Sequence, residues 1–262
     1  MIELEGVSKV YSQGFIRREQ TVAVDNVTLS IKKGESLGLV GESGSGKSTL
    51  GRLALRLIEP TNGTVRFDGL DLSCLSRSEL RRTRPRMQIV FQDPDTALDP
   101  RITVKDCIAE PMKVWHLAMP VEQKRLVVEL MDLVGLQPDL IGRYPFELSG
   151  GQKQRVALAR LLALKPDFIV ADEPTAALDL SVQAQILTLI KKIQRSTGLT
   201  LLFISHDLQV IGQMSDTVAV MHKGKIVEEG RTCDVLDNPK DSYTRHLVEA
   251  AYESSAWMGK NR

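Results

Sequence analysis

One segment of the chain has the residue types of a phosphate-binding loop. Residues 41–49 read Gly-Glu-Ser-Gly-Ser-Gly-Lys-Ser-Thr and fit the pattern G-x-x-x-x-G-K-S/T. In such a loop, backbone N–H groups surround phosphates, the lysine offsets their charge and a hydroxyl binds Mg²⁺. The candidate nucleotide-binding residues are Gly41, Ser43, Gly44, Ser45, Gly46, Lys47, Ser48 and Thr49, with Ser48 also a metal ligand. We therefore expect the chain to bind a nucleoside triphosphate together with Mg²⁺.

A pair of acidic residues follows an apolar run later in the chain. Residues 168–173 read Phe-Ile-Val-Ala-Asp-Glu, which places Asp172 and Glu173 just beyond a predicted strand. In a phosphate-loop protein this strand usually lies beside the one that enters the loop, so Asp172 is available to Mg²⁺. Glu173 is then placed to take the proton from a water that attacks the γ-phosphate. An acidic turn before Pro174 would explain the same dipeptide, but the phosphate loop favours the catalytic interpretation.

The elements that must position these residues alternate between strands and helices. Residues 36–40 predict a short buried strand and residues 48–57 a helix, so a helix N-terminus faces the bound anion. Further β-rich runs, separated by helical stretches, predict an α/β fold with a mostly parallel sheet. These runs are residues 87–91, 168–171, 200–204 and 218–221. Residues 22–24 and 27–31 predict a small antiparallel sheet near the N-terminus.

The middle of the chain predicts an inserted helical subdomain. No convincing strand lies between residues 91 and 168, whereas residues 122–134 and 151–164 have helical periodicity. We interpret residues 1–262 as a single domain, with the helical subdomain at about 96–157 and a short C-terminal tail at about 231–262. A later helix that ends at Gly198 carries an apolar stripe, which predicts core packing. Its members are Val182, Ile186, Leu189, Ile190 and Ile193.

Charge, apolar runs and cysteine number limit the partners, the location and the redox state that we expect. The 34 basic and 33 acidic residues give a net charge of +1, so bulk charge does not predict binding to nucleic acid or anionic lipid. No apolar run approaches the ~18 residues that cross a bilayer, and residues 1–5 lack the basic start of a signal peptide. We expect the chain to stay in the cytoplasm. Cys74, Cys107 and Cys233 are far apart and odd in number, which predicts reduced thiols.

Several motifs together resemble one family. Residues 148–152, Leu-Ser-Gly-Gly-Gln, resemble the signature motif of ATP-binding cassette (ABC) ATPases and precede Asp172 by the expected interval. Gln92 resembles the family's Q-loop residue, residues 177–179 its D-loop, His206 its switch histidine and Tyr11 the aromatic residue that stacks on adenine. The resemblance covers nearly the whole chain. The D-loop begins with alanine where serine is more usual, but it keeps Asp179.

The resemblance implies a role for each of these motifs. Ser149, Gly150, Gly151 and Gln152 would offer N–H groups and a hydroxyl, at the start of a helix, to the nucleotide of the opposite subunit. Two cassettes would sandwich two ATP molecules, with Asp179 also near the nucleotide. Gln92 would link the metal to the helical subdomain and His206 would contact the γ-phosphate. A buried histidine satisfied by a carbonyl, and a tyrosine that ends a strand, are the structural alternatives for His206 and Tyr11.

An ATPase of this kind drives another process, and the sequence narrows which one. A chromosome-maintenance ATPase needs a long coiled coil between Gln92 and Leu148, which this chain lacks. A translation-type cassette protein would carry two cassettes, and a nucleotide-sensing scaffold would lack the lysine or the base. The energising subunit of a membrane importer remains. Its partners would be a second ATPase subunit, homologous or identical, two transmembrane permease subunits and, indirectly, an extracytoplasmic substrate-binding protein, with no nucleic acid.

Three segments resemble the peptide and nickel branch of these importers. They are residues 97–101, 109–111 and 237–245. Peptide-serving ATPases of this branch often continue into a longer, cysteine-bearing extension, whereas this sequence stops at Arg262. We therefore expect nickel or a related metal as the transported substrate, with peptides, or a non-transport role in phosphonate metabolism, as alternatives. The expected location is the cytoplasmic face of the cell membrane, bound peripherally.

Overall fold

The computed structural model describes residues 1–13 and 19–260 of the chain. Its helices and strands, in chain order, are β1 (Ile2–Gln13), β2 (Glu19–Ile31), β3 (Ser36–Val40), α1 (Lys47–Ala54), β4 (Asn62–Phe67), β5 (Leu70–Asp71), α2 (Arg77–Thr83), β6 (Met87–Val90), α3 (Val104–Val114), α4 (Pro120–Leu133), α5 (Gly150–Leu162), β7 (Phe168–Asp172), α6 (Leu180–Thr197), β8 (Thr200–Ile204), α7 (Leu208–Met214), β9 (Thr217–His222), β10 (Lys225–Arg231), α8 (Thr232–Asp237) and α9 (Ser242–Lys260). Among these described helices, none combines the length and the apolar character of a bilayer-spanning segment.

The chain forms two compact units. The first contains residues Met1–Arg81 and Thr200–Arg262, and the second contains Arg82–Leu199. The last two residues of the predicted C-terminal tail lie outside the described residues. The predicted bounds of the helical subdomain, about 96–157, stay a prediction.

An antiparallel sheet occupies the N-terminal part of the first unit. Its strands lie in the order β2-β1-β4-β5, and each pairs antiparallel with its neighbour. The predicted segments 22–24 and 27–31 both lie on β2, which confirms the expected small sheet. Ile2, Leu4 and Val65 are buried on this sheet because alternate residues of each strand face the core.

A second sheet in the first unit carries the phosphate-loop strand. β3 pairs parallel with both β8 and β9, and β10 pairs antiparallel with β9. Every residue of β3 and β8 is buried, as expected for parallel strands covered on both faces. The strands predicted at 36–40, 200–204 and 218–221 are thereby confirmed.

The helix after the phosphate loop ends earlier than the sequence predicts. α1 stops at Ala54 because Arg56 adopts the left-handed conformation, with φ of 52°. Arg56 N then donates to Leu53 O at 2.8 Å and Leu57 N donates to Arg52 O at 2.8 Å. These bonds form a Schellman ending. Glycine usually takes the left-handed position of this motif, so an arginine there gives no signal in the sequence.

The second unit combines two parallel strands with helices. β6 pairs parallel with β7, from Met87 opposite Phe168 to Val90 opposite Ala171. The chain between these strands is helical, as predicted: α3 packs against both α4 and α5. α6 follows β7, and Ile186, Leu189, Ile190 and Ile193 form its buried face. Gly198 ends that helix with φ of 67°, which confirms the predicted helix end.

The three cysteines form no disulfide. Cys74 and Cys233 are exposed, and Cys107 is buried at 1% exposure. Burial raises the pKa of the Cys107 thiol to about 11. The described residues contain no group of three or more His, Cys, Asp or Glu side chains that could hold a metal ion.

The two sheets and the helices described above form the predicted α/β phosphate-loop architecture with an antiparallel β subdomain and additional helices.

Candidate functional site

The phosphate loop joins β3 to α1 in the first unit. β3 ends at Val40, and α1 begins at Lys47 with Gly46 as its N-cap residue. No side chain caps this helix, and its first turn contains no acidic residue. The N–H groups at the start of a helix have no partner within the helix and carry partial positive charge. The loop therefore ends at a helix N-terminus that attracts phosphate.

Lys47 is buried within the loop. It is 6% exposed, and its Nζ donates to the carbonyl oxygens of Gly41 at 2.7 Å and Glu42 at 2.8 Å. These two bonds hold the ammonium group close to the backbone of the loop. An ammonium group in this position offsets the negative charge of a bound phosphate.

Ser45 carries a buried hydroxyl that lacks a protein partner. The residue is 5% exposed, and its Oγ makes no hydrogen bond to any described residue. A buried polar atom without a partner costs free energy unless a ligand or a water satisfies it. Together with the Lys47 ammonium and the start of α1, this hydroxyl fits a phosphate group. The loop residues therefore suit ATP.

Gly46 fixes the loop against the antiparallel sheet. Its φ is 108°, and a Cβ at this position would lie 2.1 Å from Ala23 O on β2. No side chain can be accommodated at that distance, so only glycine allows this approach. The glycine pattern of the loop is thus required by backbone packing as well as by phosphate.

Two contacts from other elements of the first unit also hold the loop. Gly224 N, in the turn between β9 and β10, donates to Ser45 O at 2.9 Å. Glu42 N donates to the hydroxyl of Tyr243 in α9 at 3.1 Å. Sequence reasoning missed Tyr243 as a contact of the loop, because no motif marks it and 201 residues separate it from Glu42.

His206 lies at the same sheet edge as the phosphate loop. It follows β8, the parallel neighbour of β3, and Ser205 N donates to Leu39 O at 3.2 Å. Ligands of α/β proteins bind at the carboxyl ends of parallel strands. The side chain of His206 is exposed, which does not match the alternative of a buried histidine. Its contact with the γ-phosphate stays a prediction.

The acidic pair lies at the end of β7 in the second unit: Asp172 is the last residue of the strand and Glu173 follows it. The sequence places Asp172 beyond the strand, but the structure makes it the last strand residue, because pairing with β6 extends to Ala171. Asp172 is 8% exposed. Glu173 is half-buried and has φ of 48°, a left-handed conformation that turns the chain sharply after the strand. Ala176 N donates to Glu173 O at 3.2 Å and closes this turn.

Gln92 lies at the corresponding end of the neighbouring strand. It is exposed and follows β6, which runs parallel to β7. Gln92 and the acidic pair therefore lie at the carboxyl edge of the same two strands. This placement suits the predicted roles of Gln92 and Asp172 as metal ligands.

The signature residues form the first turn of α5. The sequence predicts that Ser149, Gly150 and Gly151 precede a helix, whereas the structure makes Ser149 its N-cap and places both glycines inside it. Gln152 N donates to Ser149 Oγ at 3.3 Å, and Ser149 N donates to Gln152 Oε1 at 2.9 Å. This capping box uses the oxygen of the Ser149 hydroxyl and leaves its proton to donate. The turn holds no acidic residue, as a site for an anion requires.

Gly151 also allows α5 to approach α6. A Cβ at this position would lie 2.4 Å from Cγ1 of Val182. Val182, which the sequence assigns to the core stripe of α6, is only half-buried and contacts this glycine instead. Helix packing is therefore sufficient to require glycine at position 151, whether or not a nucleotide binds there.

Asp179 is the N-cap residue of α6. Its Oδ1 accepts hydrogen bonds from Ser181 N at 3.1 Å, Val182 N at 3.0 Å and Ser181 Oγ at 3.0 Å. These bonds, led by the one from Val182 N, lower the pKa of the Asp179 carboxyl group. A helix cap accounts for this aspartate by itself, and its predicted position near the nucleotide stays a prediction.

Tyr11 lies on β1 in the antiparallel sheet, opposite Thr21 on β2. Its ring is 37% exposed, and Nζ of Lys9 lies 5.2 Å from the ring centroid. An exposed ring is available for stacking on a base, which is the role the family resemblance implies.

The predicted magnesium ligands are few and hard. Ser48 Oγ and the Asp172 carboxylate are oxygen donors of the kind Mg²⁺ prefers, and Gln92 offers an amide oxygen. Mg²⁺ in nucleotide sites commonly uses one or two carboxylates together with substrate phosphates. Each of these groups, taken by itself, suits Mg²⁺ that is bound together with ATP; Ser48 belongs to the first unit, and Asp172 and Gln92 belong to the second.

The structure groups the predicted site residues by unit. The first unit brings together the phosphate loop and His206 at one sheet edge and places Tyr11 on its antiparallel sheet. The second unit brings together Gln92, Asp172 and Glu173 at the ends of β6 and β7. It also contains the N-termini of α5 and α6, with Ser149 and Asp179 as their caps.

Comparison with known proteins identifies similar sequences. A family model described as ABC transporter matches residues 24–176. The oligopeptide transport ATP-binding protein AppF of Bacillus subtilis is 46% identical over 255 residues, which cover 95% of this chain and 78% of AppF. The oligopeptide transport ATP-binding protein OppF of Streptococcus mutans is 44% identical over 263 residues, which cover 100% of this chain and 85% of OppF.

A solved structure has a similar fold. The ATP-binding cassette MJ0796, in a dimeric post-hydrolysis state bound to ADP and phosphate, superposes with a TM-score of 0.80 at 33% identity. The match covers 88% of this chain and 99% of that chain. It supports the predicted phosphate-loop ATPase architecture across most of the chain.

Proposed function

The chain belongs to the ABC transporter family of ATP-hydrolysing proteins, and on that premise we propose that it is the ATPase subunit of an oligopeptide importer. The observation that carries this proposal is the identity of 44% to 46% to two oligopeptide transport ATP-binding proteins, over nearly the whole chain. Identity at this level, spread over 95% and 100% of the chain, supports a shared role as well as a shared fold.

This proposal replaces nickel with peptide as the favoured substrate. The sequence alone predicts nickel or a related metal as the cargo. The relatives support the peptide alternative better, because they are named for peptide transport and match the whole described cassette. In this proposal the cargo is selected by an extracytoplasmic binding protein and the permease, not by this subunit.

The residues proposed to serve ATP are the phosphate loop of the first unit and the residues at the ends of β6 and β7 in the second. Lys47 and the N–H groups at the start of α1 would hold the phosphates, and Ser48, Asp172 and Gln92 are the residues that would hold Mg²⁺, as the family resemblance implies. Bound Mg²⁺ would neutralise phosphate charge that develops during the reaction. Lys47 and Ser48 lie in the first turn of α1, just after the loop that follows β3, and Asp172 and Gln92 lie at the carboxyl ends of β7 and β6.

Glu173 and His206 supply the proposed chemistry. The Glu173 carboxylate takes a proton from a water molecule while the oxygen of that water forms a bond to the γ-phosphorus. The bond from that phosphorus to the bridging oxygen breaks, and the products are ADP and inorganic phosphate. His206 contacts the γ-phosphate and orients it. The half-buried position of Glu173, at the end of a buried strand, supports the role of a base partly shielded from solvent.

The active form in this proposal contains two cassettes. The first turn of α5, with Ser149 at its cap, binds the nucleotide of the other cassette. The dimeric state in which MJ0796 was solved supports this arrangement. The second cassette is either a homologous chain or another copy of this one.

A cavity in the second unit is the proposed contact for the permease. It has a volume of about 540 Å³ and is lined by residues of β6, α3 and α5. Phe91 and Val114 at this cavity are 39% and 53% exposed, and the buried amide of Gln154 has no partner among the described residues. The lining combines apolar side chains with polar and charged ones, among them Gln88, Glu110 and Arg160, and such a mixed surface suits a short amphipathic helix. Binding of this kind would place the chain at the cytoplasmic face of the membrane.

Uptake measurements in the source organism test the proposed cargo. Cells that lack the gene, and the same cells complemented with the wild-type gene or with Glu173→Gln, would receive a labelled tripeptide and labelled nickel in parallel. We expect loss of tripeptide entry in the deletion strain, restoration by the wild-type gene and no restoration by Glu173→Gln. Loss of nickel entry with normal tripeptide entry would instead support the metal alternative and refute the peptide proposal.

A further inference from the structure

Tyr243 forms a direct contact between the C-terminal helix and the phosphate loop. Its hydroxyl accepts a hydrogen bond from Glu42 N at 3.1 Å. Its ring lies against His222 at the end of β9, with ring centroids 3.8 Å apart and planes 34° apart. Tyr243 is half-buried, and burial raises the pKa of its phenol, so the hydroxyl stays protonated at neutral pH.

The position of Tyr243 is fixed from the side of α9 as well. Asp241 Oδ1 accepts hydrogen bonds from Tyr243 N at 2.8 Å and Thr244 N at 3.4 Å, so it caps the start of the helix. The backbone N–H groups of Lys240 and Asp241 donate to the carboxylate of Glu228 on β10, at 2.9 Å and 3.1 Å. The first turn of α9 is therefore tied to the sheet that carries the phosphate loop.

Glu42 links this contact to the nucleotide-binding lysine. Glu42 O accepts a hydrogen bond from Lys47 Nζ at 2.8 Å and another from Ser45 N at 3.2 Å. A displacement of Glu42 would therefore move one acceptor of the Lys47 ammonium and the turn that carries the Ser45 hydroxyl. Glu42 occupies a variable position of the pattern and is not among the residues assigned to phosphate, so the Tyr243 hydroxyl holds the loop without contacting an assigned residue.

We propose that Tyr243 is a positioning residue for the phosphate loop, and that the first turn of α9 thereby sets the affinity of this chain for ATP. The proposal rests on ATP binding by the cassette and is independent of which cargo is transported. Binding linkage is reciprocal, so ATP must stabilise the contact between Tyr243 and the loop by the same factor by which the contact favours ATP. Tyr243 touches no reacting atom, and its effect is therefore on nucleotide affinity rather than on the hydrolysis step.

Tyr243→Phe tests the proposal because it removes the hydroxyl and keeps the ring beside His222. Tyr144→Phe is the matched control, since Tyr144 is an exposed tyrosine that belongs to the second unit. In the nucleotide-free protein we expect faster hydrogen exchange in the peptide that spans residues 37–47 for Tyr243→Phe only. The dissociation constant for ATP should rise about three- to tenfold, as expected for one lost hydrogen bond, with kcat changed by less than about twofold.

A second variant keeps the test decisive if Tyr243→Phe folds poorly. Asp241→Ala leaves the tyrosine intact but removes the side-chain oxygen that caps the start of α9, and it should shift loop exchange and ATP affinity in the same direction. A non-hydrolysable ATP analogue should also slow exchange in the first turn of α9 in the wild type and not in Tyr243→Phe. If loop exchange and ATP affinity in a folded Tyr243→Phe or Asp241→Ala variant equal those of Tyr144→Phe, the proposal is wrong. Because exchange is measured without nucleotide and without transport, this outcome differs from a failure of the peptide-import proposal.

Discussion

Glu173 combines the proposed catalytic carboxylate with a backbone conformation that L-residues rarely adopt. Its φ of 48° lies in the left-handed region, where a residue with a side chain costs on the order of 1–2 kcal/mol. Such conformations concentrate at functional sites, where the surrounding structure imposes them. Here the buried strand β7 and the turn closed by Ala176 N impose it. The conformation directs the side chain from a rigid strand end, as a base with a fixed position requires.

Glu173→Gln should separate ATP binding from ATP hydrolysis. The glutamine has nearly the same shape but cannot accept the proton from water, so we expect hydrolysis to fall by at least about a hundredfold. ATP binding should stay within about threefold of the wild type. Phosphate release and equilibrium binding of labelled ATP measure the two effects, and Glu122→Gln, at an exposed glutamate of α4, is the control. Normal steady-state hydrolysis by the glutamine variant would refute the assignment of Glu173 as the base.

Lys47→Ala should weaken binding and hydrolysis together. The substitution removes the ammonium group that two loop carbonyls hold beside the phosphate position. Loss of a charged hydrogen bond costs roughly 1.5–3 kcal/mol, or at least about a tenfold loss of ATP affinity. Lys192→Ala, at an exposed lysine of α6, should leave affinity unchanged. Equal ATP affinity in both variants would show that Lys47 serves only the shape of the loop.

The residues of the candidate site can be selected from the sequence because their motifs are local. The phosphate loop, the acidic pair and the signature each occupy a short run of consecutive residues, so neighbouring residue types are enough to indicate them. Tyr243 was not predictable as a loop contact, because the folding of the first unit alone brings it to Glu42. Roles such as the cap formed by Asp179 depend on side-chain direction, which the motif does not encode.

At the scale of elements, the start of α3 shows how local hydrogen bonds stabilise a helix of the second unit. Thr103 Oγ1 accepts a hydrogen bond from Asp106 N at 3.3 Å, and the Asp106 carboxylate accepts bonds from Thr103 Oγ1 at 2.9 Å and Lys113 Nζ at 3.0 Å. The bond from Lys113 and then that from Thr103 lower the pKa of Asp106. The charged form of this carboxylate therefore favours the folded state.

Asp106→Asn should make stability less dependent on acid pH. Because the pKa is lowered in the folded state, the stabilisation is fully present above the unfolded value near 3.9 and is lost as pH falls through the folded value. We expect the variant to melt at a lower temperature than the wild type from pH 7 to pH 5, with a difference that narrows below about pH 4. Thermal unfolding over this range measures it. Asp132→Asn, at an exposed aspartate of α4, should show no such narrowing; an equal pH profile in both variants would contradict the assignment.

Elements themselves were predictable where periodicity is strong and less so at their ends. The buried strands β3 and β8 follow from continuous apolar runs, and α6 follows from its stripe and its terminal glycine. α1 ends at Ala54, earlier than the predicted residue 57, because Arg56 adopts the left-handed conformation. An arginine at this position does not indicate a helix end in the sequence. Val182 was predicted to be part of the core stripe of α6 but packs against Gly151 of α5. Periodicity within one helix does not reveal such a contact between two helices.

At the scale of the whole molecule, the proposed function requires two cassettes. The first turn of α5 contains no acidic residue, and the capping box uses only the oxygen of the Ser149 hydroxyl, so its proton can still be donated. A site for the phosphate of another cassette needs both features. The same hydrogen bonds keep α5 well formed in a single chain. Association should therefore depend on bound ATP rather than on folding.

Ser149→Arg should abolish ATP-dependent association and spare ATP binding by the single chain. A bulky side chain at the cap would occupy the position of the incoming phosphate. The measurement is sedimentation of the Glu173→Gln protein with ATP and Mg²⁺, with and without the second substitution. Ser196→Arg, at an exposed serine near the end of α6, should leave association intact. A dimer that persists with arginine at position 149 would place the partner surface elsewhere.

The accessibility of the cysteines has a practical consequence for spectroscopy. Thiol reagents modify the thiolate, so the buried Cys107, with its pKa near 11, should stay unmodified at neutral pH. Cys233 and Cys74 are exposed, although a hydrogen bond to Asp71 raises the pKa of Cys74 and should slow its reaction. The native chain thus offers a pair of attachment points of unequal reactivity, both within the unit that carries the phosphate loop. Two different fluorophores could be attached in sequence, without any introduced cysteine, to follow distance changes in that unit during each cycle of nucleotide turnover.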